Sequence, residues 1–203
     1  MYGKEVLMPQ DILQNIPFKQ THEALKKDDQ EALKKLLCGF VVRLANNIWQ
    51  FSWDAIGDDK SEKRRVLKSL VYLDALITLY RMPPAFEFSM PDLSKRFRDI
   101  PEVALNQILE RFCKITVADQ QDALDRKKPA KPATGGSMFK FLKSKEDIKV
   151  LMLHIIGLVV HLSSRGEENL SFIASILKKQ VGELKSYCHE LGLVVDAKKT
   201  TTE

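Results

Sequence analysis

The chain has few of the residues that build disulfide frameworks or zinc sites. Its three cysteines, Cys38, Cys113 and Cys188, are odd in number and far apart along 203 residues. Disulfide frameworks use paired cysteines, and zinc sites use short Cys/Cys or Cys/His spacings, so neither is predicted. The sequence therefore predicts no metal site, and unpaired cysteines are typical of a reducing compartment.

Long hydrophobic runs are also absent. The most apolar stretch is Val150–Leu162, interrupted only by His154, Gly157 and His161. A membrane-spanning helix takes about 20 apolar residues, so this stretch is too short. The first residues lack the apolar core of a secretion signal. We predict a helix buried on most sides within a globular protein, and no membrane partner.

Recognisable catalytic patterns are missing as well. The sequence contains no glycine-rich phosphate loop, no serine or cysteine in a nucleophile motif, and no carboxylate cluster. His154 and His161 are seven residues apart on one helix face, and a metal or proton-relay role would need nearby groups that the sequence does not show. A structural role is therefore favoured over metal binding or proton relay. We expect no catalytic residue, no cofactor and no small-molecule substrate.

Residues 1–60 read as a lead-in followed by helices. Pro9 and Pro17 and the lack of periodicity predict an extended segment over residues 1–20. From Thr21 to Phe51, apolar residues recur at three- and four-residue steps, which indicates one or two helices. A charged connector follows at residues 57–65.

The remaining chain contains the same order of elements twice. Each copy has a long apolar helix, a short helix, an amphipathic helix and a strand-like segment, and the copies are about 80 residues apart. In the first copy these are residues 62–81, Asp92–Phe97, Glu102–Cys113 and Ile115–Val117, with a short strand at Phe86–Phe88. In the second copy they are Ser144–Ser163, Leu170–Leu177, Val181–Leu191 and Leu193–Val195, with Gly192 ending the third helix.

This order is that of a winged helix, a helix-turn-helix unit followed by a β-hairpin. The predicted fold is mainly α with short β-wings, formed by tandem winged-helix domains after an N-terminal helical segment. The predicted divisions are a lead-in with helices at 1–60, a first winged helix at 61–124, a basic flexible linker or wing at 125–138, and a second winged helix at 139–203 whose wing has at most one strand. The alternative is a coincidence between two generic three-helix bundles.

Four stretches also resemble a known family. They are Arg65–Tyr80, Leu93–Phe97, Lys145–Leu162 and Leu170–Val195. In order and spacing they resemble the C-terminal tandem winged-helix region of the RNA polymerase I-specific subunit related to transcription factor IIE. The resemblance covers about residues 60–196, and Leu7–Leu37 resembles the family's lead-in. The basic, proline-rich linker and the early end of the chain after Val195 depart from the family's pattern.

The resemblance implies a non-catalytic module of a DNA-directed RNA polymerase. Its expected partners are double-stranded DNA and other RNA polymerase I subunits. Its expected role is to support initiation and elongation of ribosomal RNA transcription in the nucleolus. An alternative is a protein-interaction scaffold in a nuclear assembly with little direct DNA contact.

Basic residues are the candidates for DNA contact. Between residues 126 and 149, eight lysines and arginines face two acids, a net +6 against a formal charge of +5 for the chain. Phosphate contacts by such residues give salt-sensitive, sequence-independent binding. The candidate DNA-binding residues are Arg126, Lys127, Lys128, Lys131, Lys178, Lys179, Lys185, Ser186, His189, Lys198 and Lys199. The alternatives are a solvated linker and the polar outer faces of ordinary helices.

The two predicted recognition helices differ in charge. The first presents Glu102 and Glu110, whose carboxylates repel phosphate. Its acids favour the protein-interaction alternative for the first domain. The second has more lysines, although Glu183 and Glu190 lie among them. DNA contact is therefore expected from the second domain and the linker.

Overall fold

The computed structural model describes residues 4–98, 100–117, 138–163 and 168–196, which are mainly helical with one three-stranded antiparallel sheet. The helices are α1 (Lys4–Leu7), α2 (Gln10–Leu13), α3 (Lys19–Lys26), α4 (Gln30–Leu36), α5 (Gly39–Phe51), α6 (Lys60–Arg81), α7 (Met90–Arg96), α8 (Glu102–Phe112), α9 (Lys145–Leu162), α10 (Leu170–Leu177) and α11 (Val181–Glu190). The strands are β1 (Ala85–Ser89), β2 (Lys114–Val117) and β3 (Met138–Leu142). The prediction of a mainly α protein with short strands is confirmed.

Helix α6 has clear signals at both ends. The Asp59 carboxylate accepts the first free backbone N–H groups, from Ser61 at 2.8 Å and from Glu62 at 3.1 Å. The helix ends before Pro83 and Pro84, because proline lacks an N–H and disfavours helical geometry in the residue before it. These local signals explain why its extent agrees with the sequence prediction.

Helix α9 is the buried helix expected from the apolar run. It begins with a capping box, in which the Ser144 hydroxyl accepts the Asp147 N–H at 3.0 Å and the Asp147 carboxylate accepts the Ser144 N–H at 2.8 Å. Leu151, Ile155 and Leu158 are fully buried, and α9 packs against α6. These two helices lie at the centre of one continuous hydrophobic core.

Strand β3 lies at the centre of the sheet, between β1 and β2. Phe141 of β3 is opposite both Phe86 of β1 and Ile115 of β2. The Phe86 and Phe141 rings stack with their centroids 5.0 Å apart and are buried against the helices. On the other face, Lys140 forms an exposed ion pair with Glu87 at 3.8 Å. Aromatic pairing on one face and charges on the other orient the sheet.

The pairing of β3 bears on the predicted domain division. The sequence placed nearly all of Met138–Leu142 in the second predicted domain, yet this strand pairs with strands that precede residues 118–137. Those intervening residues include most of the predicted linker, which lies outside the described residues. The division of the chain into two domains stays a prediction.

The lead-in differs from its prediction. Residues 4–20 contain α1, α2 and the start of α3 rather than an extended segment, so that prediction was wrong. Pro9 precedes α2 with φ of −65°, an angle that suits the start of a helix. Ile12, Leu13 and Ile16 are buried, and α2 packs against α6 and α8. Tertiary burial stabilises short helices that local periodicity does not reveal.

Gly157 explains how the lead-in approaches α9. A Cβ atom at this position would lie 2.9 Å from Leu7 Cδ2, closer than real contacts allow. The glycine in the apolar run therefore makes room for α1, which packs across the middle of α9.

A buried carboxylate joins three parts of the chain. Asp74 of α6 accepts the Cys38 backbone N–H at 2.6 Å and forms an ion pair with Arg98. Its side chain is 5% exposed, whereas that of Arg98 is 31% exposed. The contact ties the start of α5 and the segment after α7 to the central helix. A buried charge needs such partners, because desolvation disfavours it strongly.

The end of α11 confirms one prediction and contradicts another. Gly192 has φ of +74° and donates its N–H to His189 O at 2.9 Å, which confirms the predicted glycine cap. The Leu193 N–H donates to Cys188 O at 2.8 Å, so the chain folds back on the helix. The predicted strand Leu193–Val195 was wrong, since within residues described by the structure it pairs with no other strand.

Candidate nucleic-acid interface

Helix α11 presents a polar face opposite its buried one. Leu184 and Cys188 point into the core. Ser186 and His189 are exposed on the far side, and Lys185 lies half-buried on one flank. We call Lys178, Lys185, Ser186 and His189 together the α11 surface.

The two glutamates on the other flank of α11 are already paired. Glu183 contacts Lys179 at 3.3 Å, and Glu190 contacts Lys149 at 3.0 Å. These contacts raise the pKa of both lysines, through the hydrogen bond and the neighbouring negative charge. The charges of Glu183 and Glu190, which oppose phosphate binding, are therefore neutralised by neighbouring lysines. Lys179 is used in one of these ion pairs.

The turn before α11 carries the most exposed of these cations. Lys178 ends α10 in a left-handed conformation, with φ of +50° and ψ of +45°. A residue other than glycine pays about 1 kcal/mol to adopt the left-handed backbone conformation. Lys178 and Lys185 form no ion pair with any other described residue. Both are therefore available to an external anion.

The structure locates five of the eleven candidate residues. It places Lys178, Lys179, Lys185, Ser186 and His189 on α11 or the turn before it. The Ser186 hydroxyl donates to Glu183 O at 2.7 Å, which leaves its oxygen as an acceptor rather than a donor for phosphate. The other six lie outside the described residues and stay predictions; they are Arg126, Lys127, Lys128, Lys131, Lys198 and Lys199.

Several lysines of the basic segment have internal roles. Lys140 pairs with Glu87, and Lys149 pairs with Glu190. Lys143 is 5% exposed, and its Nζ donates to Leu79 O at 2.6 Å and to Met82 O at 2.7 Å. Less of the +6 charge is therefore free for DNA than the sequence count suggested.

Lys143 also lines a cleft between the helices. The cleft has a volume of about 470 Å³ and lies where the end of α6, the β3–α9 junction and the α10–α11 turn meet. Arg81, Lys143 and Lys178 line it together with apolar side chains such as Ile148. Burial lowers the pKa of Lys143 to about 8.

Sequence reasoning missed Arg81 and the burial of Lys143. Arg81 ends α6, whereas Lys178 lies almost 100 residues later. No local pattern relates these positions, because their proximity depends on how α6, α9 and α10 pack. The placement of Lys143 directly before the α9 cap is equally uninformative on its own.

Helix α8 differs from α11 in both charge and access. Its Gln107 accepts a hydrogen bond from Asn15 at 3.3 Å, and its Arg111 donates to Val6 O at 3.1 Å. The lead-in thus covers one flank. Glu102 and Glu110 are exposed on the rest of the helix, and Arg111 is exposed as well, with its guanidinium bound to Val6 O. That this helix is unsuited to phosphate stays a prediction.

The two histidines of α9 do not form a site together. His161 is exposed, whereas His154 is buried and packs edge-on against Phe112 at 5.2 Å. His154 Nδ1 lies 3.0 Å from Val150 O. Burial lowers the pKa of His154, and the nearby Arg111 cation lowers it further. A neutral structural histidine is the consistent interpretation.

The pKa of His154 makes a prediction about acid stability. The pKa of His154 in the folded state is below the unfolded value of about 6.5. The unfolded state therefore binds more protons at this residue than the folded state does once the pH falls below 6.5. The contribution of His154 is therefore complete above pH 6.5 and decreases below it, by at most about 1.4 kcal/mol per pH unit. We expect His154→Leu to show a smaller loss of unfolding free energy between pH 7.5 and 5.5 than the wild type, measured with urea.

The exposed His189, changed to Gln, is the control for that experiment. An identical pH dependence in wild type and His154→Leu would contradict the role assigned to the buried ring.

Other classes of site find no support in the described ranges. No group of three or more histidine, cysteine, aspartate or glutamate residues there could hold a metal ion. No helix in the same ranges is long and apolar enough to cross a membrane. Burial raises the pKa of Cys38 to about 11 and that of Cys113 to about 12, which makes both poor nucleophiles.

Comparison with known proteins identifies a family. No curated protein matches the chain. The family model described as A49-like RNA polymerase I associated factor matches residues 1–203. This match covers the entire sequence and agrees with the resemblance seen in the order of its helices. The chain therefore belongs to the A49-like RNA polymerase I associated factors.

Proposed function

We propose that this chain is a non-catalytic, DNA-binding module of RNA polymerase I that supports initiation and elongation of ribosomal RNA transcription in the nucleolus. The α11 surface is the observation that carries the proposal. Lys178 and Lys185 are without ion pairs among the described residues, while the adjacent Glu183 and Glu190 are each neutralised by a lysine. Cations arranged in this way bind DNA phosphates.

The architecture supports two winged helices. We infer a first winged helix because the order α6, β1, α7, α8, β2, β3, with β3 between the other strands, is the order expected of a helix-turn-helix unit with a β-hairpin. Helices α9, α10 and α11 repeat α6, α7 and α8. We place the end of the first unit at Leu142 and the start of the second at Ser144, with Lys143 joining them. In the second unit α11 then occupies the position of the recognition helix.

The charges favour contact with the DNA backbone over base readout. Lysines act on phosphate as point charges, and the four residues of the α11 surface include no arginine, asparagine or glutamine to form paired bonds to a base. The exposed Gln180 at the start of α11 belongs to the capping box of that helix. Binding with little sequence preference suits a polymerase that moves along its template. The six candidate residues outside the described ranges would extend the same phosphate-binding surface.

Titration of the full chain with duplex DNA at two salt concentrations tests the proposal. Each phosphate contact contributes about −0.9 to the slope of log K against log salt. We therefore expect binding at low salt that weakens steeply as salt increases, with little difference between unrelated duplexes. Absence of binding at low salt, or binding that salt leaves unchanged, would contradict it.

The face of α8 favours a second candidate function, a protein-interaction scaffold within the polymerase. Val103 of α8 is 60% exposed. Glu102 is its neighbour in the sequence, and Glu110 lies two turns later on the same face of the helix. An apolar side chain flanked by acids suits a basic protein surface better than DNA. Retention in the polymerase with no DNA affinity would favour this candidate.

A further inference from the structure

We propose that the cleft between α6, the β3–α9 junction and the α10–α11 turn binds a phosphate group, and that this phosphate belongs to the DNA backbone. The inference rests on the proposed function and extends it to a site beyond the α11 surface. We call this site the phosphate cleft and define it by Arg81, Lys143 and Lys178.

Three cationic residues from three different parts of the chain line the phosphate cleft. Arg81 comes from the end of α6, Lys143 from the residue between β3 and α9, and Lys178 from the turn after α10. The cleft has no acidic lining residue, and its volume of about 470 Å³ accommodates a phosphate with its water. A cleft lined by three cationic side chains and by no carboxylate attracts an anion.

Each cation has capacity for a further contact. Arg81 and Lys178 are exposed and form no ion pair within the described ranges. Lys143 uses two of its three N–H donors on Leu79 O and Met82 O, so one donor remains. The buried ammonium is also the cation that gains most from an anion, because it is the least solvated.

Two carboxylates that adjoin the cleft in sequence or on α11 are already engaged. Asp147 is bonded to Ser144 in the α9 capping box, and Glu183 is bonded to Lys179. Neither carboxylate is a lining residue. Competition from internal anions is therefore weak.

The two walls of the cleft are held together by a direct contact. The Tyr80 hydroxyl donates to Leu177 O at 3.1 Å, next to Arg81 on one side and Lys178 on the other. Lys178 has a left-handed backbone conformation in the turn between α10 and α11. This turn lies at the edge of both the cleft and the α11 surface. A DNA strand on the α11 surface can thus reach the cleft through Lys178, which belongs to both.

Two measurements on the full chain test the inference. In the first, inorganic phosphate is added to isotopically labelled protein at constant ionic strength, with chloride as the reference anion. We expect phosphate to shift the NMR signals of Arg81, Lys143 and Lys178 more than chloride does. Equal shifts with both anions would overturn the proposed site.

The second measurement compares two single variants in the DNA titration. Arg81→Gln removes a cation of the cleft, and Arg64→Gln removes an exposed cation elsewhere on α6, without an ion pair in the described ranges. We expect Arg81→Gln to weaken binding about two- to fivefold and to reduce the salt slope by about 0.9, while Arg64→Gln has neither effect.

The outcomes separate the inference from the proposed function. Duplex binding that is equal in wild type, Arg81→Gln and Arg64→Gln overturns the phosphate cleft and leaves the proposed function intact. Phosphate-specific shifts without any duplex binding overturn DNA as the source of the phosphate, together with the proposed function, and assign the cleft to a free anion.

Discussion

Exchange of Lys178 and Lys185 for glutamate is expected to lower the affinity for duplex DNA on the order of 10- to 100-fold at low salt. Two phosphate contacts are lost, which reduces the salt slope by about 1.8, and two acids then repel the backbone. Neither side chain forms an ion pair among the described residues, so the exchange breaks no internal salt bridge. Fluorescence anisotropy at several salt concentrations measures both the affinity and the slope.

A charge-matched variant separates a local effect from a change in net charge. Lys26 and Lys27 are exposed at the end of α3, and their exchange for glutamate alters the formal charge equally. We expect this control to retain nearly all DNA affinity, apart from a small long-range effect that salt screens. Equal losses in both variants would show that net charge, and not the α11 surface, governs binding.

Loss of the Asp74–Arg98 pair is expected to produce the largest effect on stability. Arg98→Leu leaves the Asp74 carboxylate buried with the Cys38 N–H as its remaining partner, and such uncompensated charges cost about 3–5 kcal/mol. That is a large fraction of the 5–15 kcal/mol by which domains are typically stable. The free energy of unfolding in urea should decrease accordingly.

Two further variants give the control for this prediction. Asp74→Asn keeps an acceptor for Cys38 and removes the charge, so it should lose less stability than Arg98→Leu. In Asp74→Leu with Arg98→Leu, no buried charge remains, and the combined loss should be smaller than the sum of the single losses by about 1 kcal/mol or more. Additive losses would mean that the two side chains do not stabilise each other.

Local signals account for the elements that the sequence predicted well. The extents of α6 and α10 follow from a side-chain cap at one end and from proline or a chain reversal at the other. The position of Gly192 just after α11 predicts the C-terminal cap of this helix, because glycine accepts positive φ without a steric cost. Such features involve residues close in sequence, so the sequence alone reveals them.

Long-range pairing accounts for the elements that it did not. The helices of residues 4–20 form because Ile12, Leu13 and Ile16 are covered by distant helices. Strand β3 pairs with β1, although the predicted division put β1 in the first domain and nearly all of β3 in the second. The Leu193–Val195 segment has strand-like residues, but a strand also requires a partner.

The candidate site divides in the same way. The lysines of the α11 surface were identifiable from their composition and their position on a predicted helix. Their availability was not, because it depends on Lys179 and Lys149 neutralising Glu183 and Glu190, and Lys149 belongs to another helix. A count of charges along the sequence cannot distinguish a paired cation from a free one.

The sequence by itself determined that this protein is mainly helical, that its helices recur in the same order, and that it has the pattern of a polymerase-associated family. Hydrophobic periodicity and capping residues involve positions close together in the chain, so the sequence alone reveals them. Only the tertiary structure decided that Lys143 is buried, that the lead-in covers α8, and that Arg81 and Lys178 share a cleft. The physical reason is that burial and charge pairing depend on distances between residues far apart in the chain, which packing sets and local sequence does not encode.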